Sequence, residues 1–258
     1  MTALITGIGW VNSTGMGCGS AHSCFEMTAG RLPEITRKAI FEEPYQRFGR
    51  MDRFSRLGLG AIAFALKDAG LAKWTQKRNI SIIASTVHGC LDTDLSYFDT
   101  VILQEGRLAS PNLFAYTVPN SFLGEAAIYF GLTGNTYIIS SPSAWRLQSL
   151  RMAMISLDSG ESEKVLGGVC DLESPDLFAT TGKEIPGALF FVIERISKKT
   201  RPAYGELRLD RKGKLNFNGR KVKDLVNLVQ RCLAVKHAKY RGSAAKLSAH
   251  KSKCSQFR

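Results

Sequence analysis

Two serines flanking a proline, Ser141-Pro142-Ser143, follow a short apolar run at Tyr137–Ser140 and precede a helical pattern. A serine hydroxyl is an effective nucleophile near neutral pH only when a basic side chain is held against it. The sequence offers no such base close to Ser143. A side-chain oxygen of Ser141 or Ser143 can instead cap the first N–H groups of the following helix. We therefore predict a structural role and keep serine-dependent acyl hydrolysis or transfer as an alternative.

The residue types that bind metal ions are scattered along the chain. The cysteines and histidines are Cys18, Cys24, Cys90, Cys170, Cys232, Cys254, His22, His88, His237 and His250, with no Cys-x-x-Cys pair among them. Zinc sites and disulfide frameworks depend on closer or paired spacing, so we expect free thiols and no metal.

Gly7-Ile8-Gly9 imitates a dinucleotide fingerprint, but Asn12 stands at the third glycine position. We predict no cofactor.

Positive charge is concentrated at the C-terminal end. From Arg195 to Arg258 the chain has 19 Lys/Arg and 3 Asp/Glu. The preceding 194 residues have 16 Lys/Arg and 19 Asp/Glu. Three interpretations stay open for this basic segment: docking of an acidic partner protein, a solubilising role, or contact with nucleic acid. It has few aromatic residues and no recognisable nucleic-acid-binding module, so we predict no nucleic-acid partner.

Short apolar runs alternate with helical patterns over the first 195 residues. We predict strands at Ala3–Ile8, Ile80–Ser85, Tyr137–Ser140, Lys164–Cys170 and Ala188–Glu194, and helices at Met51–Asp68, at Asn120–Phe130 and ending at Leu157. Such alternation indicates a layered α/β domain. Farther on, we predict a strand at Tyr204–Leu209 and an amphipathic helix at Lys223–Val235. The last 20 residues are small, polar and basic, which predicts disorder.

No stretch of the sequence approaches the roughly 18 consecutive apolar residues that indicate a membrane span. The N-terminal residues MTALITGIGWVNSTG lack the basic start and long apolar run of a signal peptide. We therefore predict a cytoplasmic protein without a membrane span.

Several segments, in order, resemble the first half of β-ketoacyl-acyl carrier protein synthases. The opening ITGIGWVNSTGMG is similar to the family's first strand and glycine turn, and MDRFSRLGLGAIAFALKDAGL to its first long helix. SPNLFAYTVPNSFLGEAAIYFGLTGNTYIISS resembles its interface loop, the next helix and the strand before the nucleophile. LDSGESEKVLGGVCD and GALFFVIE resemble the later strands. The resemblance implies an α/β thiolase-like fold, an α/β/α half with a mixed five-stranded sheet over residues 1–195, and a basic, partly disordered extension over residues 196–258.

Two departures from the family bear on chemistry. Aligned without gaps from Gly134 to Gly160, the position of the family's nucleophilic cysteine falls on Ser143. The family's two active-site histidines belong to its C-terminal half, and the four histidines of this chain lie in none of the matching contexts. We therefore expect no ketosynthase activity from the chain alone. Without a second half packed on it, we also expect the Leu147–Leu157 face of the third helix to be poorly covered.

A catalytically inactive ketosynthase relative that pairs with an active one is the arrangement of chain-length factors in type II polyketide and aryl-polyene synthesis, which this sequence resembles most. The resemblance implies a full-length catalytic ketosynthase and an acyl carrier protein as partners. The family's dimer strand corresponds to Tyr137, Ile138, Ile139, Ser140 and Ser141, and its loop into the neighbour's acyl tunnel to Pro111–Thr117. We expect Leu113, Phe114, Tyr116 and Thr117 to line that tunnel, and Arg220, Lys221 and Lys223 to dock the carrier. The alternative is a binding module that holds a polyanion through its basic segment.

Overall fold

The computed structural model describes residues 1–22, 24–102, 105–143, 147–173, 185–197 and 204–236. The strands are β1 (Thr2–Asn12), β2 (Gly15–Cys18), β3 (Ile80–Thr86), β4 (Thr136–Ser140), β5 (Lys164–Asp171), β6 (Gly187–Arg195), β7 (Gly205–Leu209), β8 (Leu215–Phe217) and β9 (Arg220–Lys221). The helices are α1 (Arg37–Ile40), α2 (Arg53–Asp68), α3 (Leu91–Ile102), α4 (Pro111–Phe114), α5 (Ser121–Phe130), α6 (Gln148–Ser159) and α7 (residues 225–236). A short 3₁₀ helix spans Gln46–Arg50.

One mixed sheet organises the described residues, in the order β4-β3-β5-β6-β1-β7-β8-β9, with β2 added beside β1. Strand β3 is parallel to both β4 and β5, whereas β5–β6, β1–β6 and β1–β7 are antiparallel. The first five strands in this order are the mixed five-stranded sheet that the family resemblance implies. The predicted α/β fold with a mixed sheet flanked by helices is confirmed.

Both faces of the central strands are buried, because their side chains alternate between two apolar layers. On β6, Phe190 and Val192 pack into the layer with α2 and α5, whereas Leu189 and Phe191 pack into the layer with α6 and α7. Every residue of β3 is buried. The near-continuous apolar runs that predicted these strands therefore reflect a sheet sandwiched between helices.

The glycine pair in β1 allows close packing against α2. A Cβ atom at Gly7 or Gly9 would collide with the α2 backbone near Ala65. Asp68 at the end of α2 accepts a hydrogen bond from the N–H of Ile8 at 2.8 Å. Gly7-Ile8-Gly9 thus has a packing role that accounts for its likeness to a nucleotide fingerprint.

The expected strand and helix after residue 195 are present and complete the same sheet and core. Strand β7 pairs with β1, and the apolar face of α7 (Leu225, Leu228, Val229, Cys232 and Leu233) is at most 1% exposed. The Tyr204 hydroxyl donates to Asp68 at 2.6 Å, which links the residues just before β7 to the end of α2. The division after residue 195 stays a prediction, and the 20 residues expected to be disordered lie outside the described ranges.

The expectation that the inner face of α6 is poorly covered was wrong. Leu147, Leu150, Met154 and Leu157 are all at most 5% exposed, because they pack against the sheet in the same layer as α7. The apolar residues that α6 leaves exposed are Met152 at 42% and Ile155 at 52%.

Candidate partner interface

The sheet ends at β4 in an uncharged edge. Within the described residues β4 pairs only with β3, and its residues Thr136–Ser140 are exposed or half-buried. At the other end of the sheet the last strand, β9, has two residues, Arg220 and Lys221. Short, basic edge strands discourage pairing with another chain, whereas a longer uncharged edge invites it. The two ends of the sheet thus differ in their capacity to take on another strand.

Hydrogen-bond directions show which β4 residues face the open edge. The carbonyl of Asn135 accepts from Ile82, and the N–H of Ser141 donates to Thr86, each at 2.9 Å and each toward β3. Because successive residues of a strand turn their backbone groups to opposite edges, Thr136, Ile138 and Ser140 direct their N–H and C=O groups away from β3. Of the five predicted interface residues, Ile138 and Ser140 therefore offer backbone bonds to a partner.

A second exposed apolar group lies on α3, α4 and the adjoining turns. Only Thr93 of α3 is buried. The exposed apolar residues here are Phe98, Ile102, Leu108, Phe114 and Val118, each between 51% and 66% exposed. The rings of Tyr97 and Phe114 are 5.4 Å apart between centroids, so α3 and α4 support each other. Singly exposed apolar residues are ordinary, but five between residues 98 and 118 make this part of the chain a candidate interaction surface.

The predicted tunnel residues have different surroundings. Phe114 is 61% exposed, and Leu113 and Thr117 are half-buried. Tyr116 is 7% exposed, and its hydroxyl donates to the Glu125 carboxylate at 3.2 Å, inside the chain's own core. Burial and the neighbouring Glu125 carboxylate raise the pKa of Tyr116 to about 12. The structure thus brings Tyr116 inward, where it holds the turn that follows α4 and its last residue, Phe114.

Sequence reasoning missed the group that anchors this turn. Glu125 on α5 is 5% exposed and also accepts hydrogen bonds from Tyr45 and Arg47, both at 2.8 Å. Desolvation and the bond to Glu125 raise the pKa of Tyr45, whereas the bond to Glu125 is the main cause that raises the pKa of Arg47. A buried carboxylate needs such compensation. The available signal was a single acidic residue among the apolar residues of α5.

Ser141 and Ser143 follow the end of β4. The Ser141 hydroxyl donates to the carbonyl of Ser143 at 3.0 Å. Nearby, Asp171 accepts hydrogen bonds from Thr86 Oγ1 and from the backbone N–H of His88, at 2.8 and 3.0 Å. Asp171 therefore holds the backbone of His88 and not its ring. Among the hydrogen bonds of the described residues, none joins a serine of this turn to a histidine, lysine or carboxylate.

Three of the buried cysteines are also poor nucleophiles. Burial raises the pKa of Cys90 to about 12, and it raises the pKa of Cys170 and Cys232 well above the usual thiol value. Because the thiolate is the reactive form, these three side chains stay unreactive near neutral pH. Within the described ranges, no three His, Cys, Asp or Glu side chains are grouped as metal ligands, and no helix is long and apolar enough to cross a membrane.

The predicted carrier-docking residues are exposed but do not share one face. Cross-strand register aligns Arg220 with the buried Phe217, on the α6 side of the sheet. It aligns Lys221 with Asn216, which in turn is opposite Arg208. Cross-strand neighbours point to the same side, so Lys221 and Arg208 share the opposite surface. Lys223 is exposed and precedes α7.

The layered fold with this mixed sheet is thiolase-like. Residues 33–183 match the family described as beta-ketoacyl synthase, N-terminal domain, and since this is more than half of the chain, the chain belongs to that family. No curated protein sequence is significantly similar.

Solved structures of related complexes have the same fold. The ishigamide ketosynthase/chain length factor has a TM-score of 0.64 and 17% identity, covering 80% of this chain and 62% of that one. A ketosynthase in complex with its chain length factor from Xenorhabdus doucetiae has a TM-score of 0.54 and 20% identity, covering 77% of this chain and 81% of that one. A type II polyketide acyl-carrier protein in complex with its ketosynthase bound to the hexaketide has a TM-score of 0.60 and 19% identity, covering 80% of this chain and 67% of that one. At these identities the likeness establishes the fold alone.

Proposed function

We propose that the chain is a non-catalytic, chain-length-factor-like subunit that pairs with an active ketosynthase and shapes its acyl tunnel. The partner performs the covalent chemistry of polyketide, polyene or fatty acyl elongation. The observation that carries this proposal is the combination of an uncharged open edge at β4 with the exposed apolar α3–α4 unit. Two of the similar structures are of a ketosynthase together with a chain length factor, which supports this choice of partner.

The chemistry at the end of β4 supports a non-catalytic role. Ser143 stands at the position of the family's cysteine, and the described hydrogen bonds supply no base to activate it. A neutral serine hydroxyl is a weak nucleophile near pH 7. Pairing with a subunit that supplies the nucleophile is therefore the arrangement that gives this family member a role in condensation.

The segment Pro111–Thr117, which comprises α4 and the turn after it, supports a role in shaping the tunnel. Tyr116 anchors it to Glu125, while Phe114 stays exposed and Leu113 half-buried. A loop held at one residue places its neighbours reproducibly, which a side chain that limits a tunnel requires. Leu113, Phe114 and Thr117 are accordingly the proposed tunnel residues, and Tyr116 supports them from within the chain.

Co-expression tests the proposed partnership. An exposed apolar surface next to an open strand edge favours aggregation of the isolated chain. We expect low solubility for the chain alone and a soluble 1:1 complex with its cognate ketosynthase, measured by native mass spectrometry. A well-folded, monodisperse monomer at micromolar concentration, unaffected by the ketosynthase, would count decisively against the proposal.

The basic residues Arg220 and Lys221 of β9, on opposite faces of the sheet, and Lys223 before α7 are the proposed contacts for the acidic carrier protein. Charge reversal at Arg220, Lys221 and Lys223 should lower the association rate of carrier with the heterodimer by roughly ten-fold at low salt, because exposed charges act mainly on the encounter. The difference should shrink as salt shortens the range of these interactions. Stopped-flow fluorescence with labelled carrier measures this rate.

Lys73, which is 94% exposed in its side chain, provides the control for the carrier experiment. Lys73→Glu should leave the association rate nearly unchanged. Equal effects of the control and the triple variant, or a rate that does not depend on salt, would show that this surface does not dock the carrier.

A further inference from the structure

A cleft of about 680 Å³ opens beside the end of β5, between the first turns of α2 and residues 31–35. Its lining combines apolar residues with a charged rim: Leu32, Pro33, Ile35 and Leu172, and Arg31, Glu34, Arg53, Arg56 and Glu173. Small-molecule sites are typically concave, of roughly 300–1,000 Å³, with apolar walls and a few convergent polar groups. In open α/β sheets, ligands bind outside the carboxyl ends of the strands. The position and the lining of the cleft both fit a ligand site.

The walls of this cleft are fixed by internal contacts. The Cys170 thiol on β5 donates to the carbonyl of Phe54 at 3.7 Å, which seats the first turn of α2 against β5. The N–H of Leu32 donates to Glu173 at 3.4 Å, and the Leu32 side chain is buried in the core. The cleft therefore exists before any ligand binds, and binding requires little reorganisation.

Three guanidinium groups line the rim, and only one has a carboxylate partner among the described residues. Arg53 pairs with Glu173 at 3.2 Å. Arg56, one helical turn farther along the same face of α2, donates to the carbonyl of Gly49 at 3.2 Å and stacks on Phe48. These contacts orient the Arg56 guanidinium without neutralising it. Arg31 is exposed, and within the described part of the chain it forms no ion pair.

The charge of the rim favours an anion over a cation. The Asp52 carboxylate caps the N-terminus of α2 by accepting from the Ser55 N–H, and Glu173 is engaged by Arg53 and by the Leu32 N–H. With Glu34, which is exposed as Arg31 is, the rim has two carboxylates against three arginines, so its net charge is positive. Arginine is the side chain best suited to bind phosphate oxygens, because its planar fork offers two parallel donors.

We propose that this cleft binds a phosphoryl group attached to an apolar moiety, with Arg31 and Arg56 as the donors to the phosphoryl oxygens. The apolar part of the ligand rests on Leu32, Ile35 and Leu172. Glu173 limits affinity, since its carboxylate holds Arg53 and repels the ligand. This site is independent of the β4 edge and of the proposed pairing with a ketosynthase.

Calorimetric titration of the full chain, alone or in its complex, with phenyl phosphate tests the proposal. Phenyl phosphate should bind at least several-fold more tightly than inorganic phosphate, which lacks the apolar part, or benzoate, which lacks the phosphoryl group. Arg31→Gln and Arg56→Gln should each weaken phenyl phosphate binding roughly ten-fold, as expected for loss of charge-assisted hydrogen bonds. Glu173→Gln keeps an acceptor for the Leu32 N–H but removes the charge, so affinity should rise several-fold.

Arg50→Gln is the matched control, because Arg50 is exposed on the neighbouring 3₁₀ helix and does not line the cleft. It should leave the affinity nearly unchanged. Because Arg31 is exposed, its replacement tests the site even if Arg56→Gln fails to fold. The proposal is overturned if phenyl phosphate does not bind at low ionic strength, if benzoate binds equally well, or if Arg50→Gln weakens binding as much as Arg31→Gln.

Discussion

Replacing Ile138 with proline should strongly weaken the heterodimer while leaving the chain folded. The N–H of Ile138 points to the open edge of β4, so its loss breaks no hydrogen bond to β3. Proline is tolerated in edge strands but removes a donor that a pairing strand needs, and its ring obstructs close approach of that strand. Losing the bond and its neighbours at the interface should weaken association roughly 100-fold. Analytical ultracentrifugation of the co-expressed pair measures the effect.

Ile138→Ala is the control for this substitution, because it removes the side chain and keeps the N–H group. It should retain most of the complex, and circular dichroism should show that both variants are folded. If the proline variant assembles as well as the alanine variant, the partner does not add a strand at this edge, and the interface lies elsewhere.

Enlarging the space near Phe114 should lengthen the product of the heterodimer. A chain stops growing when the next two-carbon unit forces a clash, and overpacking costs about 1–3 kcal/mol, which slows that addition roughly ten-fold or more. Phe114→Ala and Leu113→Ala should therefore shift carrier-bound products to longer chains, and Thr117→Phe should shift them to shorter ones. Mass spectrometry of products from the reconstituted pair gives the distribution directly.

Phe98 provides a matched comparison, since it is an aromatic residue that is 58% exposed on the neighbouring α3. Phe98→Ala should leave the chain-length distribution unchanged. Intact heterodimers of the Phe114 and Leu113 variants that yield the wild-type distribution would show that the loop does not limit the tunnel. An equal shift in Phe98→Ala would place the limit on α3 instead.

The central sheet was predictable from the sequence because its strands are buried on both faces. Apolar runs such as Ile80–Ser85 and Ala188–Glu194 leave few alternatives to an internal strand. The coverage of α6 was not predictable in the same way. The spacing of Leu147, Leu150, Met154 and Leu157 identified a packed face, but the resemblance to a larger fold suggested the wrong covering element. In the structure that face packs on the chain's own sheet, beside α7.

The partner interface and the cleft depend on contacts between residues that are distant in the sequence, which local sequence patterns do not predict. Whether Tyr116 faces a partner or the core is decided by Glu125, nine residues away and one turn into the next helix. The arginines of the cleft come from segments that are more than 20 residues apart and converge only when α2 packs against the end of β5. Which β4 residues direct their backbone groups to the open edge follows from the pairing of β4 with β3. The selection of Ile138 for the proline substitution therefore also required the structure.

The central claim is that the covalent chemistry belongs to the partner, and intact-protein mass spectrometry of the reconstituted pair tests it most directly. After incubation with an acyl-loaded carrier protein, we expect the acyl mass on the ketosynthase alone, with this chain unmodified. Ser143→Ala should leave both that labelling and the turnover of the pair unchanged, because the Ser143 hydroxyl has no activating base in the described structure. An acyl adduct on this chain that disappears in Ser143→Ala would contradict the claim and identify the chain as a serine-dependent acyltransferase.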